Sequence, residues 1–355
     1  MLKQLFRTKS LDALLRAADA TEHKLKRAIG TVELTALGIG AVIGAGIFAT
    51  IGTAAAGDPA RPGAGPALIL SFVLTAVACG FAALCYAEFA SLVPISGSAY
   101  TYAYATLGEL VAWIIGWDLI IEYAVGNVAV AISWANYFKT FVAGFGLHIP
   151  DWISTDYRTA ARIPGLFESA PHLFGIPIVF NLLAIGIVAL ITIVLVIGIR
   201  ESSRFNVFMV VTKLIVLSFF VVVGFYYVKP ENWTPFAPNG WAGVQAGAAI
   251  VFFAYIGFDA VSTAAEEVRD PQRSMPLGII GSLLICTVIY ILVAAVFTGI
   301  IPYPELTQVL ATQQAEPLTL AFQYADIGRW QNLFVGIIAF GSVVAHTAVL
   351  LVFQL

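Results

Sequence analysis

Long apolar runs separated by short polar segments make up most of this chain. Runs of about 20 apolar residues match the hydrocarbon thickness of a bilayer, whereas surface helices of soluble proteins carry only an apolar stripe. The pattern predicts eight membrane-spanning helices, at about 33–55, 65–92, 106–141, 176–199, 206–228, 243–266, 276–301 and 331–354. We therefore expect an all-α polytopic membrane protein.

Glycine interrupts two of these runs, within Gly38–Phe48 of the first and Phe252–Asp259 of the sixth. Glycine weakens a helix, and unwound backbone at membrane depth is tolerated only where it is buried in protein or lines a cavity. Broken helices in two halves of a membrane protein indicate a substrate site near the midplane. We therefore predict a small-molecule transporter.

The two breaks lie five spans apart, which is the offset of an inverted repeat of five plus five helices. This spacing predicts a first repeat at 31–228 and a partial second repeat of three helices at 229–355. The chain ends with the eighth apolar run, so we expect the last helices of the second repeat to be missing. A remnant that binds an amino acid but does not transport it is therefore an open alternative.

Composition agrees with a membrane protein and sets its orientation. Of the 355 residues, 60% are hydrophobic and 11% are charged, whereas soluble domains carry about 25% charged residues. Of the 18 Lys and Arg, eleven fall on the side of the N-terminus and six on the other. The positive-inside rule then makes 1–30 a cytoplasmic basic segment of a multi-pass cell-membrane protein.

Signatures of other function classes do not occur in the sequence. The four histidines are scattered, without a His-Glu-x-x-His pattern, and no glycine-rich phosphate loop ends in Lys-Ser or Lys-Thr. The three cysteines lie in apolar stretches without metal-ligand spacing. We expect no enzymatic activity, no cofactor, no metal site and no nucleic-acid partner.

A long, ordered series of motifs carries a family resemblance from about Ile29 to the C-terminus. The motifs are Gly38–Phe48, Ala82–Phe89, Pro94–Tyr100, Gly116–Tyr123, Lys229–Phe236, Phe252–Glu267 and Asp270–Pro276. The chain resembles a bacterial member of the amino acid–polyamine–organocation superfamily, in its cationic amino acid transporter group. This resemblance implies the leucine-transporter fold and secondary active import of amino acids by alternating access.

The resemblance also implies a substrate site. Backbone N–H groups of Gly44, Ala45 and Gly46 would bind the substrate carboxylate, as helix N-termini bind anions. Backbone carbonyls of Ile43, Phe253, Ala254 and Ile256 would bind the α-ammonium group. Two alternatives to substrate binding stay open. The glycines could serve only the close packing of helices, and Phe253 could be an aromatic residue that only packs against its neighbours.

Lys213 lies in the fifth span, where an ionisable side chain is a functional candidate by default. The resemblance implies that its ammonium replaces the second sodium ion of sodium-coupled relatives and couples substrate to protons. The alternative is a structural lysine that extends its charge to the inner interface.

Two further intramembrane residues are pocket candidates. Glu122 on the third span, one turn after Asp118, faces a water path or has a structural role. His346 on the eighth span shapes the side-chain pocket, titrates near neutral pH, or makes an interhelical hydrogen bond.

Substrate choice follows from the absence of a clear anionic partner in the presumed pocket. Unless Glu122 or Asp118 reaches that pocket, nothing there would meet a cationic side chain. We expect small or apolar neutral amino acids, with cationic amino acids as the alternative.

Overall fold

The structure is a computed structural model, and it describes residues 6–10, 16, 27–161, 163–197, 202–312 and 316–354, without the side chains of 202–206 and 310–312. Most of the predicted basic segment, 1–30, lies outside the described residues. The predicted repeat boundaries at 228 and 229 stay predictions.

Helices account for most of the described chain. The α-helices are α1 (Thr31–Val42), α2 (Ile51–Ala56), α3 (Leu68–Leu92), α4 (Ser98–Thr106), α5 (Glu109–Ala143), α6 (Tyr157–Ala160), α7 (Leu166–Ser169), α8 (Leu182–Ile197), α9 (Ser202–Phe225), α10 (Gly240–Val251), α11 (Pro271–Ile300), α12 (Tyr303–Thr312), α13 (Pro317–Tyr324) and α14 (Gln331–Gln354). A π-helix covers Gly46–Thr50, and 3₁₀ segments cover Gly65–Ala67, Asp151–Ile153, Pro230–Trp233, Phe252–Tyr255, Asp259–Glu267 and Gly328–Trp330.

Two short antiparallel hairpins complete the secondary structure. Strands β1 (Gly57–Asp58) and β2 (Arg61–Pro62) pair Gly57 with Pro62. Strands β3 (His172–Leu173) and β4 (Ile176–Pro177) pair His172 with Pro177. The first hairpin lies in a connection between predicted spans, and the second includes the first two residues of the predicted fourth span.

Six helical stretches of the described chain are long and apolar enough to cross a membrane. They are Gly65–Leu92, Glu109–Ala143, Val207–Phe225, Gly240–Glu267, Pro271–Ile300 and Gly328–Gln354. The bent pair Thr31–Val42 and Gly46–Ala56 makes a seventh, and Leu182–Ile197 is a shorter apolar helix. The predicted all-α polytopic class is therefore confirmed.

The fourth predicted span, 176–199, is shorter in the structure than expected. Residues Ile176–Pro177 belong to the β3–β4 hairpin, and the helix begins only at Leu182. The side chain of Asn181 accepts from the backbone N–H of Ala184 at 2.9 Å and so satisfies one donor of the first turn. The length of the apolar run alone does not indicate that the helix starts after Asn181.

Helix α11 packs against α1, α3 and α9. Helix α14 packs against α5 and α9 on the other side of α1. The outer surface of α5 exposes large apolar side chains such as Trp113, Ile120 and Val125. A broad exposed apolar surface of this kind suits contact with a membrane.

Candidate functional site

The first break separates α1 from the helix that follows it. Helix α1 ends at Val42, Ile43 is extended at φ −78° and ψ 99°, and helical structure resumes as the π-helix Gly46–Thr50. The two helical halves are bent by 41°. No side chain caps the second half at Ala45, and the first N–H groups of a helix have no acceptor within it. These donors are the predicted carboxylate site.

The second break interrupts the sixth span in the same way. Helix α10 gives way to the 3₁₀ turn Phe252–Tyr255, and Ile256 is extended at φ −55° and ψ 133°. Gly257 then adopts φ +109°, and a Cβ there would lie 2.9 Å from the carbonyl oxygen of Ala41. Only glycine combines this positive φ with so close an approach to the first span.

The two breaks touch each other at their glycines. A Cβ built on Gly46 would lie 2.1 Å from the Cα of Ala254 in the second break. One built on Gly44 would lie 2.6 Å from Cγ2 of Val349, which belongs to α14. Gly46 therefore does allow close packing between the first and sixth spans. This packing also brings the predicted carboxylate donors next to the predicted ammonium acceptors, so the two explanations for this glycine are compatible.

Lys213 reaches the first break from α9. Its side chain is fully buried, and Nζ donates to the carbonyl oxygens of Gly40 at 2.6 Å and Ile43 at 2.9 Å. The Gly40 carbonyl belongs to the last turn of α1 and the Ile43 carbonyl to the residue just after it, where no helical N–H follows to bond them. The amino group therefore lies inside the bundle and does not extend to the inner interface.

Tyr290 of α11 joins the two breaks, and the sequence analysis did not identify it. Its hydroxyl lies 3.0 Å from the carbonyl oxygen of Val42 and 2.8 Å from that of Ala254. A hydroxyl has one hydrogen to donate, so these two carbonyls share a single donor. The available signal was a tyrosine within an apolar run, since a buried tyrosine hydroxyl usually has a partner.

A second hydroxyl holds the outer half of the first span. Tyr137 of α5 is fully buried and donates to the carbonyl oxygen of Phe48 at 2.7 Å. The ring of His346 lies with its centroid 5.7 Å from those of Phe48 and Tyr137. His346 is thereby placed beside the outer half of the broken helix.

The hydrogen bonds of His346 differ from the interhelical bond considered above. Nδ1 lies 2.6 Å from the carbonyl oxygen of Ser342 and 3.1 Å from its hydroxyl, both on the same helix. Because a carbonyl only accepts, Nδ1 carries the hydrogen. Nε2 has no hydrogen-bond partner among the described residues. The interhelical alternative is therefore wrong, because the side chain folds back on its own helix turn.

Phe253 and Ala45 belong to one apolar cluster with residues of α5, α8 and α14. Phe253 is half-buried there, whereas Ile43 and Ala254 are fully buried. Trp134 of α5 donates to the hydroxyl of Thr347 at 3.0 Å and so ties α5 to α14 beside this cluster. An apolar wall therefore adjoins the two breaks.

Glu122 is half-buried and lies beside a different polar group. Its neighbour Tyr123 donates to Oδ2 of Asp259 at 2.9 Å, and Ser98 donates to the same oxygen at 3.4 Å. Asp259 is buried at the start of the 3₁₀ segment after the second break. These bonds fix that segment to α5 and α4, in line with an orienting role for Asp259.

The described residues contain no group of three or more His, Cys, Asp or Glu side chains that would hold a metal ion. At the first break, the amino group of Lys213 donates to two backbone carbonyl oxygens.

Comparison with known proteins identifies the family. The family model described as amino acid permease matches residues 29–354. A branched-chain amino acid permease of Bacillus subtilis (strain 168) is 49% identical over 352 residues, which are 99% of this chain and 70% of that protein. A methylthioribose transporter of the same organism is 47% identical, over 99% of this chain and 69% of its own. Human cationic amino acid transporter 4 is 37% identical, over 96% of this chain and 50% of its own.

Proposed function

This chain belongs to the amino acid permease family, and from that premise we propose that it imports amino acids by secondary active transport. The contact between Gly46 and Ala254 supports a site near the midplane, because it brings the two unwound segments together. In this proposal the substrate is bound there and exposed alternately to the two sides of the cell membrane, with the N-terminus in the cytoplasm.

The substrate carboxylate accepts from the N–H groups of Gly44, Ala45 and Gly46, where no side chain occupies the helix N-terminus. The α-ammonium group donates to carbonyls of Phe253, Ala254 and Ile256, together with Ile43. Two of these carbonyls, Ile43 and Ala254, already accept from Lys213 and Tyr290. A carbonyl has two lone pairs, so each has room for one further donor.

Protons are the proposed coupling ion, with Lys213 as the coupling residue. A neutral amine has two N–H groups, and the carbonyls of Gly40 and Ile43 satisfy both. An ammonium has a third N–H and a full charge, which attracts the substrate carboxylate toward the first break. Protonation and substrate binding would therefore favour each other.

The coupling proposal is tested with Lys213→Arg and Lys213→Met in proteoliposomes. Arg stays charged at all accessible pH values, and Met carries no charge. We expect uptake by the unsubstituted protein to rise under an inward proton gradient and both variants to lose this response. Thr212→Val is the control, because the Thr212 hydroxyl bonds only its own helix, at Phe208. A Met variant that keeps the full proton response would refute the role of Lys213.

Small or apolar neutral amino acids are the proposed substrates. The wall beside the breaks is apolar, and the buried carboxylate of Asp259 already accepts from two hydroxyls. A relative named as a branched-chain amino acid permease, 49% identical, supports this choice. Cationic amino acids are the alternative, since human cationic amino acid transporter 4 is also similar.

Methylthioribose is a second candidate of a different chemical class, because a transporter named for it is 47% identical. Thermal-shift binding to the purified protein separates the classes, with L-leucine, L-alanine, L-arginine, L-lysine and methylthioribose as probes. We expect stabilisation by L-leucine and L-alanine. Stabilisation by methylthioribose alone would refute amino acid binding, and stabilisation by L-arginine and L-lysine alone would favour the cationic alternative.

A further inference from the structure

A polar cavity lies away from the two breaks, on the outer side in the proposed orientation. It has a volume of about 620 Å³ and lies between the ends of α5, α13 and α14 and the connection around Asp151. We call it the outer cavity. Its polar lining comprises the side chains of Asn136, Lys139, Asp151, Glu316, Gln323 and Asn332. Small-molecule sites are commonly about 300–1,000 Å³, so its size suits a small ligand.

Glu316 is the most unusual residue of the outer cavity. It stands at the N-cap of α13 and is 8% exposed. Its backbone carbonyl accepts from Leu320 N at 2.8 Å and from the Thr319 hydroxyl at 2.9 Å, which fixes the residue in place. Among the described residues, its Oε2 has no hydrogen-bond partner. A buried acceptor without a donor is unfavourable, which indicates that this oxygen receives a donor from a ligand.

A cationic group faces the same cavity. Lys139 of α5 pairs with Asp151, and its side chain is 35% exposed. The cavity therefore holds an acidic oxygen without a partner and an ammonium group that is open to solvent. A free amino acid presents the complementary pair, an ammonium and a carboxylate on one carbon.

We propose that the outer cavity is a second binding site for a zwitterionic amino acid, with Glu316 accepting from its ammonium group and Lys139 donating to its carboxylate. The site rests on the proposed function only for the identity of the ligand as an amino acid. It shares no residue with the two breaks.

The electrostatics of Glu316 agree with this assignment. Burial raises the pKa of the Glu316 carboxyl to about 8, and a hydrogen bond from Asn136 opposes this rise. The other charged groups that line the cavity, Lys139 and Asp151, are paired with each other. An ammonium ligand favours the ionised carboxylate, so binding at this site strengthens as the pH rises from 6 toward 8.

Equilibrium binding of radiolabelled L-leucine to the protein in nanodiscs tests the site. We expect the unsubstituted protein to bind about two molecules of L-leucine (two equivalents) and Glu316→Gln to bind one. Glutamine keeps the shape of the glutamate side chain but cannot carry its charge. Gly46→Ala should also retain one equivalent, bound in the outer cavity. Glu168→Gln is the matched control, an exposed glutamate on α7 that does not line the cavity. We expect it to bind two equivalents.

The equivalent retained by Gly46→Ala provides a second readout. In this variant, the affinity of the outer cavity for L-leucine should rise at least threefold between pH 6 and pH 8. Isopentylamine, which is leucine without its carboxylate, should compete for the same site. Adding Lys139→Met to this variant should lower the affinity for L-leucine at least fivefold and leave the affinity for isopentylamine unchanged. If Glu316 or Lys139 had only a structural role, its substitution would change the affinities for L-leucine and isopentylamine by the same factor.

The outcomes distinguish the two proposals. Two equivalents in Glu316→Gln would overturn the outer site while leaving the central site intact. Two equivalents in Gly46→Ala, with one in Glu316→Gln, would overturn the central site and support the outer one. No binding by the unsubstituted protein would overturn the outer site, and the proteoliposome uptake assay would then decide the proposed function.

Discussion

The first break is held by an ionisable side chain, whereas the second is held by neutral hydroxyl groups and close packing. Lys213 bonds the carbonyls of Gly40 and Ile43. At the second break, the Tyr290 hydroxyl bonds Ala254, and Gly257 packs against Ala41. A tyrosine hydroxyl is neutral near neutral pH, whereas an amine is a group that can carry an extra proton and its charge. Proton dependence is therefore expected at the first break and not at the second.

The largest effect should come from closing the contact between the breaks. In Gly46→Val, the new Cβ would lie 2.1 Å from the Cα of Ala254, so the backbone of one break must move. We expect amino acid binding at the central site to fall at least a hundredfold and unfolding to become easier by about 3 kcal/mol. Thermal unfolding and equilibrium binding measure both.

Gly186→Val is the matched control, since a Cβ on Gly186 of α8 meets no atom within 4 Å. We expect it to leave binding unchanged. Equal loss of binding in both variants would show that the close approach of Gly46 and Ala254 has no special role.

Lys213→Met sharpens the contrast by removing the ionisable group from the first break. Two buried carbonyls would lose their donor, and each loss costs about 1–3 kcal/mol. We expect a lower melting temperature and at least tenfold weaker substrate binding. A Met variant as stable as the unsubstituted protein would mean that these carbonyls are satisfied in another way.

Glu316→Gln tests a buried ionisable group that has one oxygen without a partner among the described residues, whereas Lys213 donates to two carbonyls. Burial raises the pKa of Glu316 from 4.5 to about 8, so the folded protein holds its proton more tightly than the unfolded chain does. Stability is therefore full below about pH 4.5 and falls as the pH rises toward 8.

Replacing Glu316 by Gln removes this pH dependence. We expect the variant to match the unsubstituted protein near pH 5 and to be more stable by a few kcal/mol above pH 8, in melting curves without ligand. The same stability difference at both pH values would contradict the raised pKa.

Tyr290→Phe tests the hydroxyl that the two breaks share. The change removes one donor from Val42 and Ala254 while keeping the ring, so we expect a cost of about 1 kcal/mol. Unlike the effect of Lys213→Met, this cost should not change with pH between 5 and 8. Tyr255→Phe is the matched comparison within the second break, because its hydroxyl bonds the carbonyl oxygen of Phe72 on α3 and not the backbone of either break. We expect the control to keep substrate binding and Tyr290→Phe to weaken it severalfold.

His346→Phe should have the smallest effect on stability. The ring lies among Phe48 and Tyr137, and Nε2 has no partner among the described residues. The substitution removes an unsatisfied buried acceptor and also the hydrogen bond from Nδ1 to the Ser342 carbonyl. These two effects have opposite sign, so we expect the unfolding free energy to change by less than about 1 kcal/mol. The same variant shows whether His346 shapes the pocket, through a changed preference between L-alanine and L-leucine. A large destabilisation would mean that Nε2 makes a hydrogen bond in the protein.

Much of the fold was predictable from local patterns. Run length identified the spans, since bilayer thickness sets how many apolar residues a helix needs. Glycine content identified both breaks, because it reports backbone weakness directly. The start of α8 was placed too early, at 176, since neither the β3–β4 hairpin nor the Asn181 cap changes the apolar run.

The site was only partly predictable, because its partners lie far apart in the chain. Lys213 was singled out by its charge in an apolar run, but its acceptors lie 173 and 170 residues away. Tyr290 and Glu316 were missed because a tyrosine in an apolar span and a glutamate in a polar connection are unremarkable in sequence. For His346, the sequence left open which neighbours its ring nitrogens would face.

By itself, the sequence determined the membrane class, the number of apolar segments and the positions of the two breaks. These are properties of short stretches, fixed by hydrophobicity and by the conformational freedom of glycine. Only the tertiary structure decided which group satisfies each exposed carbonyl, which buried oxygen stays unpaired and where a cavity forms. Hydrogen bonds act over about 3 Å in space, whatever the separation along the chain, so these partners are known only once the helices are packed.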